Sequence, residues 1–192
     1  VGNWIAPGRG GTGTLTIYDN ASLTKTGNGN FTIGANLGGT GNGTINQYGG
    51  FVTNTTSQTW IGESATGAWN MEGGAAFLGQ VNICQDGTAT GTLNLAGGLF
   101  QATGVNSTSI GYSTLVFGGG TLQAGANNAN FLSGLTEVDI SSAGAVIDSQ
   151  NYDITISQDL PTLGDGSGGL TKNGSGTLTL TGNLSYSGDT VV

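Results

Sequence analysis

The chain has 192 residues, with 39 Gly but only 2 Pro, and is 35% hydrophobic and 7% charged, against about 25% charged residues in an ordinary soluble domain. Gly without a strict G-X-Y period excludes collagen, and apolar residues that recur at regular intervals exclude a disordered chain of low hydrophobicity. A net charge of −8 with three basic residues and no His excludes a nucleic-acid partner, which needs clustered Lys and Arg on its phosphates, and argues against anionic lipid headgroups.

No run of 18 or more apolar residues occurs, so no direct membrane insertion by a helix is expected. Cys84 is the one cysteine, which rules out an intrachain disulfide, and just after Val81 and Ile83 it reads as a small core residue. The opening VGNWIAPGRG has neither a basic nor an apolar signal region. Because the chain starts and stops inside repeat-like text, it is expected to be a piece of a longer protein.

Taken in chain order, one unit recurs. Gly13–Leu23 (GTLTIYDNASL) is a short alternating strand, with Leu15 and Ile17 on one face, followed by Asp19-Asn20. Gly43–Thr53 (GTINQYGGFVT), Gly67–Phe77 (GAWNMEGGAAF), Gly91–Gln101 (GTLNLAGGLFQ) and Ser113–Gln123 (STLVFGGGTLQ) repeat it with Gly-Gly in the same slot. The pairs Gly49-Gly50, Gly73-Gly74, Gly97-Gly98 and Gly119-Gly120 set a period of 24, 24 and 22 residues. Gly, Asn and Asp are the residues that tolerate positive φ, so the slot reads as a left-handed corner between two strands. A third signal is an Ile-Gly step at Ile33-Gly34, Ile61-Gly62 and Ile110-Gly111, with Ile83-Cys84 as its variant.

From about Phe131 the period blurs. Leu135–Ser157 still alternates through Val138, Ile140, Val146, Ile154 and Ile156 but lacks the Gly-Gly corner, and Leu163–Gly169 (LGDGSGG) reads as a loop. Gly176–Tyr186 (GTLTLTGNLSY) is a last copy, with Gly182-Asn183 in the corner slot. Short strands joined by glycine corners at a period of some 20 to 25 residues define an all-β fold, a parallel β-solenoid (β-helix) of about 22 to 28 residues per coil. A β-propeller blade needs roughly twice that length. About eight coils at ~4.8 Å each give a rod on the order of 38 Å long. Leu93, Leu95, Leu115, Phe117, Leu178 and Leu180 are expected inside it, and Thr92, Asn94 and Thr177 outside. Residues 1–162 are expected to be solenoid coils grading into irregular ones, and residues 163–192 one further coil of the same solenoid.

The stretch Gly168–Val192, GGLTKNGSGTLTLTGNLSYSGDTVV, resembles the autotransporter-associated β-strand repeat, whose pattern is G-L-x-K-x-G-x-G-T-L-x-L-x-G-x-N-x-Y-x-G-x-T-x-V. The matching positions are Gly169, Leu170, Lys172, Gly174, Gly176, Thr177, Leu178, Leu180, Gly182, Tyr186, Gly188, Thr190 and Val192. Leu184 departs from it, standing where the family has Asn. The resemblance covers about an eighth of the chain. It implies a right-handed β-helix in a secreted, surface-exposed passenger or adhesin of a Gram-negative-type bacterium, a rod without catalytic residues or cofactors.

Other chemistry makes specific demands on the residues. Glycoside hydrolysis needs two carboxylates about 5 to 10 Å apart, and Asp139, Asp148, Asp153 and Asp159 are close in sequence, with Asp139 and Asp159 almost one coil apart. The competing reading is a set of solvated acids that keep a Thr-rich rod soluble. A Ser-His-Asp system is impossible without His, and a Cys nucleophile lacks its base. Gly164–Gly169 (GDGSGG) resembles a fragment of a calcium-binding nonapeptide but has no tandem partner, so no metal or other cofactor is expected. Trp4 and Trp60, each preceding an Ile, are the candidate outward aromatics for a carbohydrate contact, whereas Trp69 takes the inward slot of Leu93.

The expected function is a non-catalytic structural rod of a bacterial cell-surface or extracellular protein: an adhesin, a passenger stalk or a fibre subunit. A carbohydrate-binding or carbohydrate-cleaving β-helix is the alternative. Neither end carries a polar cap, so the expected partners are further coils of the parent chain or end-to-end copies of itself, with surface glycans next.

Overall fold

The computed structural model describes residues 4–37, 40–161 and 167–192, and among these there is no helix. Six coils repeat one triplet of strands: β1 (Thr12–Ile17), β2 (Ser22–Thr24), β3 (Phe31–Ile33); β4 (Asn42–Gln47), β5 (Phe51–Asn54), β6 (Thr59–Ile61); β7 (Thr66–Met71), β8 (Ala75–Leu78), β9 (Gln80–Ile83); β10 (Thr90–Leu95), β11 (Leu99–Ala102), β12 (Gly104–Asn106); β13 (Tyr112–Phe117), β14 (Thr121–Ala124), β15 (Asn128–Ser133); β16 (Glu137–Ile140), β17 (Ala145–Asp148), β18 (Ile154–Ile156). The chain goes on through β19 (Leu160–Pro161), β20 (Leu170–Asn173), β21 (Leu178–Leu180), β22 (Leu184–Ser185) and β23 (Thr190–Val191).

Each strand pairs in parallel with the strand one coil later, so the first members of the triplets make a 6-stranded sheet, the second an 8-stranded sheet and the third a 7-stranded sheet. This is the right-handed parallel β-solenoid expected from the repeat. The expected eight coils are reached on the second face only. The first face stops at β16, and β19 and β22 form a separate 2-stranded sheet. The residues at the proposed boundary between 162 and 163, and the first part of the LGDGSGG loop, lie outside the described residues. Beyond them β20 continues the second sheet on β17.

The alternation drives the packing. Inward positions stack in register as Ile45, Trp69, Leu93 and Leu115, and as Met71, Leu95 and Phe117, all fully buried. Gln47 enters the second column and is also fully buried. Its amide nitrogen donates to the Ala75 carbonyl at 3.1 Å and its oxygen accepts from Trp69 Nε1 at 3.3 Å, which removes the cost of an unpaired buried amide. Outward side chains bond along the axis instead. Asn94 donates to Asn70 at 2.6 Å and Asn70 to Asn46 at 2.9 Å on the first face, while Gln101 donates to Gln123 and Gln123 to Asp148, both at 2.8 Å, on the second. Thr92 and Asn94 are half-buried on this outer side and Thr177 is exposed.

The corners use left-handed backbone as the sequence requires, with positive φ at Asn20, Gly50, Gly74, Gly98 and Gly119. In the first four corners it is the second residue of the pair that turns. At the Ile-Gly step Gly34, Gly62 and Cys84 are left-handed, so buried Cys84 stands in a glycine slot. Its Sγ lies 2.9 Å from the Tyr112 carbonyl oxygen.

Three expectations are corrected. Leu178 and Leu180, expected in the first sheet and fully inside, belong to the third, paired with Ile154 and Ile156, and are only half-buried because β21 is an edge strand. An alternating Leu-Thr strand fits any face of the solenoid, and Gly182-Asn183 is no left-handed corner, since neither takes a positive φ. Ile110 is 96% exposed. The third strand of that coil is β12, where Val105 occupies the core slot above Val81, and the chain bulges outward before returning at Tyr112.

A polar cleft at one corner of the solenoid

The connections from the third face back to the first differ in length from coil to coil, so they wall off space at that corner. Loops held on a rigid scaffold are where binding groups concentrate. The segment before β1 joins this corner through two parallel bridges, Ile5 to Phe31 and Arg9 to Ala35. Above it the backbone climbs in register: Glu63 N–H donates to the Gly34 carbonyl at 3.0 Å, Asp86 N–H to the Glu63 carbonyl at 3.1 Å, and Gln85 N–H to the Gly62 carbonyl at 3.2 Å. Arg9, Glu63 and Asp86, far apart in sequence, thus come to one corner, Glu63 and Asp86 on successive coils and Arg9 two coils from Glu63 with Ala35 between.

Together with Trp4, Asn36 and Gln85 they line a cleft of about 310 Å³. Trp4 is 44% exposed, and the Arg9 guanidinium sits 4.9 Å from its ring centroid in a cation–π contact. The Asn36 N–H donates to Ser64 Oγ at 2.8 Å. Asn36 and Ser64 also line a second polar hollow of about 250 Å³, so the two form an elongated trough. Burial pushes the Glu63 carboxyl above its ordinary range, opposed by Thr32 and Arg9 and reinforced by Asp86.

Trp60 does not share this position. It was expected on the outer face but is 9% exposed, between Thr32 and Asn82 in the third sheet, and its Nε1 is buried without a protein partner. Sequence reasoning also missed Tyr18 and Tyr48, 64% and 43% exposed at the first corner and stacked on each other at 5.5 Å. Both directly precede a corner pair, which was the available signal. The cleft residues Arg9, Asn36, Glu63, Gln85 and Asp86 have no such mark in the sequence.

Three of the four candidate carboxylates are engaged by neighbouring backbone or amide groups. Asp148 accepts from Gln123 and from the Gln150 N–H, Asp153 from the Thr177 N–H at 2.8 Å, and Asp159 from the Asn183 N–H at 2.7 Å. Each ties one coil to its neighbour or closes a turn. Asp139, on the first face, has one buried oxygen without a protein partner, and burial together with Glu137 raises its pKa. Among the described residues no group of three or more His, Cys, Asp or Glu is placed to hold a metal ion.

Two raised carboxyls give the stability a definite pH dependence. Glu63 and Asp139 hold their protons above the ordinary values of 4.5 and 3.8. Their contribution is complete below those values and is lost as the pH rises through the raised ones. Asp153 acts oppositely: its pKa is lowered by the Thr177 hydrogen bonds, so its contribution is lost only as the pH falls through that lowered value. Thermal unfolding followed by circular dichroism should therefore show Tm rising as the pH falls from neutrality towards the ordinary carboxyl values, and Glu63→Gln should flatten the rise.

Comparison with known families decides what this solenoid is similar to. Residues 170–192 match the passenger-associated-transport-repeat. The match falls on β20 to β23, the stretch whose residues resemble the autotransporter-associated repeat, and the repeat is met as expected in a solenoid. No curated protein and no solved structure matches the chain. The passenger-associated-transport-repeat together with the solenoid fits an autotransporter passenger, which implies a secreted or cell-surface bacterial protein, and the repeat is not a known catalytic family.

Proposed function

We propose that the chain is a non-catalytic rod segment of a bacterial surface protein, a stalk of an adhesin-type passenger or a subunit of an extracellular fibre. The observation that carries this reading is the uninterrupted parallel stacking on the second face, from β2 to β23 and into the passenger-associated-transport-repeat. A stack of this kind serves length and display: each coil contacts only its neighbours and adds one increment of height. Of the acids that could have formed a hydrolytic pair, Asp148, Asp153 and Asp159 instead bridge successive coils.

Its partner in this reading is another coil, of the parent polypeptide or of a second copy stacked end to end. Leu178, Leu180, Thr190 and Val192 border an apolar hollow of about 320 Å³ over the last coil, and the edges of β21 and β23 are open to strand pairing. The test is double. Incubated with pectin or alginate, with or without calcium, the purified chain should release no sugar ends, and in sedimentation it should associate as concentration rises. Turnover that disappears in Asp139→Asn, or a stable monomer at high concentration, would defeat the proposal.

A further inference from the structure

We propose that the corner cleft of Trp4, Arg9, Asn36, Glu63, Gln85 and Asp86 binds an oligosaccharide. Its volume of about 310 Å³ lies within the ~300–1,000 Å³ of small-ligand clefts, and the adjoining hollow lengthens it in the manner a chain of sugar rings needs. The groups are those that recognise hydroxyls. Carboxylates and amide oxygens accept from neighbouring hydroxyls, while Arg9 and the amide nitrogens donate. Trp4 adds an apolar aromatic wall with 44% of its surface free, suited to the C–H face of a pyranose ring.

Competing ligands fit less well. The Arg9 guanidinium lies on the wall of the cleft and repels a metal ion, whereas Glu63 and Asp86 repel phosphate. The lining is polar, unlike the broad apolar patch that a protein partner covers. The backbone ladder through Gly34, Glu63 and Asp86 holds the Glu63 and Asp86 positions one coil spacing apart along the axis, about 4.8 Å, so neighbouring hydroxyls of a sugar meet acceptors carried on adjacent rungs.

The test uses the full chain on an array of glucose, galactose, mannose and N-acetylhexosamine oligomers, with any retained oligomer titrated against tryptophan fluorescence. Trp69 is fully buried and Trp60 nearly so, so the change reports on Trp4. Retention of at least one oligomer is expected. Trp4→Ala and the shape-preserving Glu63→Gln should each weaken binding about tenfold, with Tyr48→Ala unchanged. The proposal is overturned if no oligomer is retained, if both cleft variants bind as the native chain does, if Tyr48→Ala alone weakens binding, or if calcium without sugar produces the same fluorescence change. These outcomes are separate from the turnover and sedimentation that test the rod.

Discussion

Replacing Trp69 with alanine is expected to lower the unfolding free energy by about 3–5 kcal/mol, the upper range for large-to-small core substitutions. Trp69 is fully buried at the centre of the aromatic cluster, edge-on to Phe100 at 5.3 Å and tilted against Phe31 at 5.8 Å. Its Nε1 donates to Gln47 Oε1, so truncation opens a cavity and also strips a buried amide of a partner. Phe31 and Phe100 come from different coils, and the indole is what bridges them. Because each coil is supported only by its neighbours, the loss should also uncouple the first coils from the rest. A urea titration should show the lower midpoint together with a broadened or two-step transition. A single sharp transition within about 1 kcal/mol of the native value would show that the column does not hold the rod together.

The second large effect is expected at Gly62. Its φ of +74° is left-handed, and a Cβ built there would lie 2.5 Å from the Thr90 carbonyl oxygen of the next coil. Backbone cannot give way there without breaking the register of β7 and β10, so Gly62→Val combines backbone strain with overpacking and should cost about 4 kcal/mol or more. Cys84 supplies the control, since it holds the equivalent slot at φ +63° with its side chain accommodated. Cys84→Gly exchanges relief of that strain for the loss of a small buried side chain, and should change stability by about 1 kcal/mol or less. Chemical denaturation of the two variants side by side measures the contrast, and an equal loss in both would remove the argument from close backbone approach.

Much of the architecture was legible because it rests on local rules. Alternation with period 2 defines a strand and its inner side wherever it occurs, which is why Leu93, Leu95, Leu115 and Phe117 are inside as the sequence alone requires. Residues able to turn left-handed mark the corners, as Asn20, Gly50, Gly74 and Gly98 do. The spacing of 24 residues between those corners is itself the coil, and Asn46, Asn70 and Asn94 bond to one another across it. The C-terminal repeat carried its own signature in Leu170–Val192, met by the match to the passenger-associated-transport-repeat.

Which face a strand joins was left to the tertiary structure. A short Leu-Thr strand has no feature that distinguishes the first sheet from the third; the path length of the chain around each coil decides, and it placed Leu178 and Leu180 beside Ile154 and Ile156. The same path length expelled Ile110 and made Val105 the core residue of that coil. Alternation likewise sets the direction in which Trp60 leaves its strand but not what packs over it, and the fold buries it. The cleft is the clearest case. Trp4, Asn36, Glu63 and Gln85 occupy loops of unequal length with no motif in common, and only the stacking of one coil on the next, through backbone hydrogen bonds at fixed spacing, brings them to a single corner.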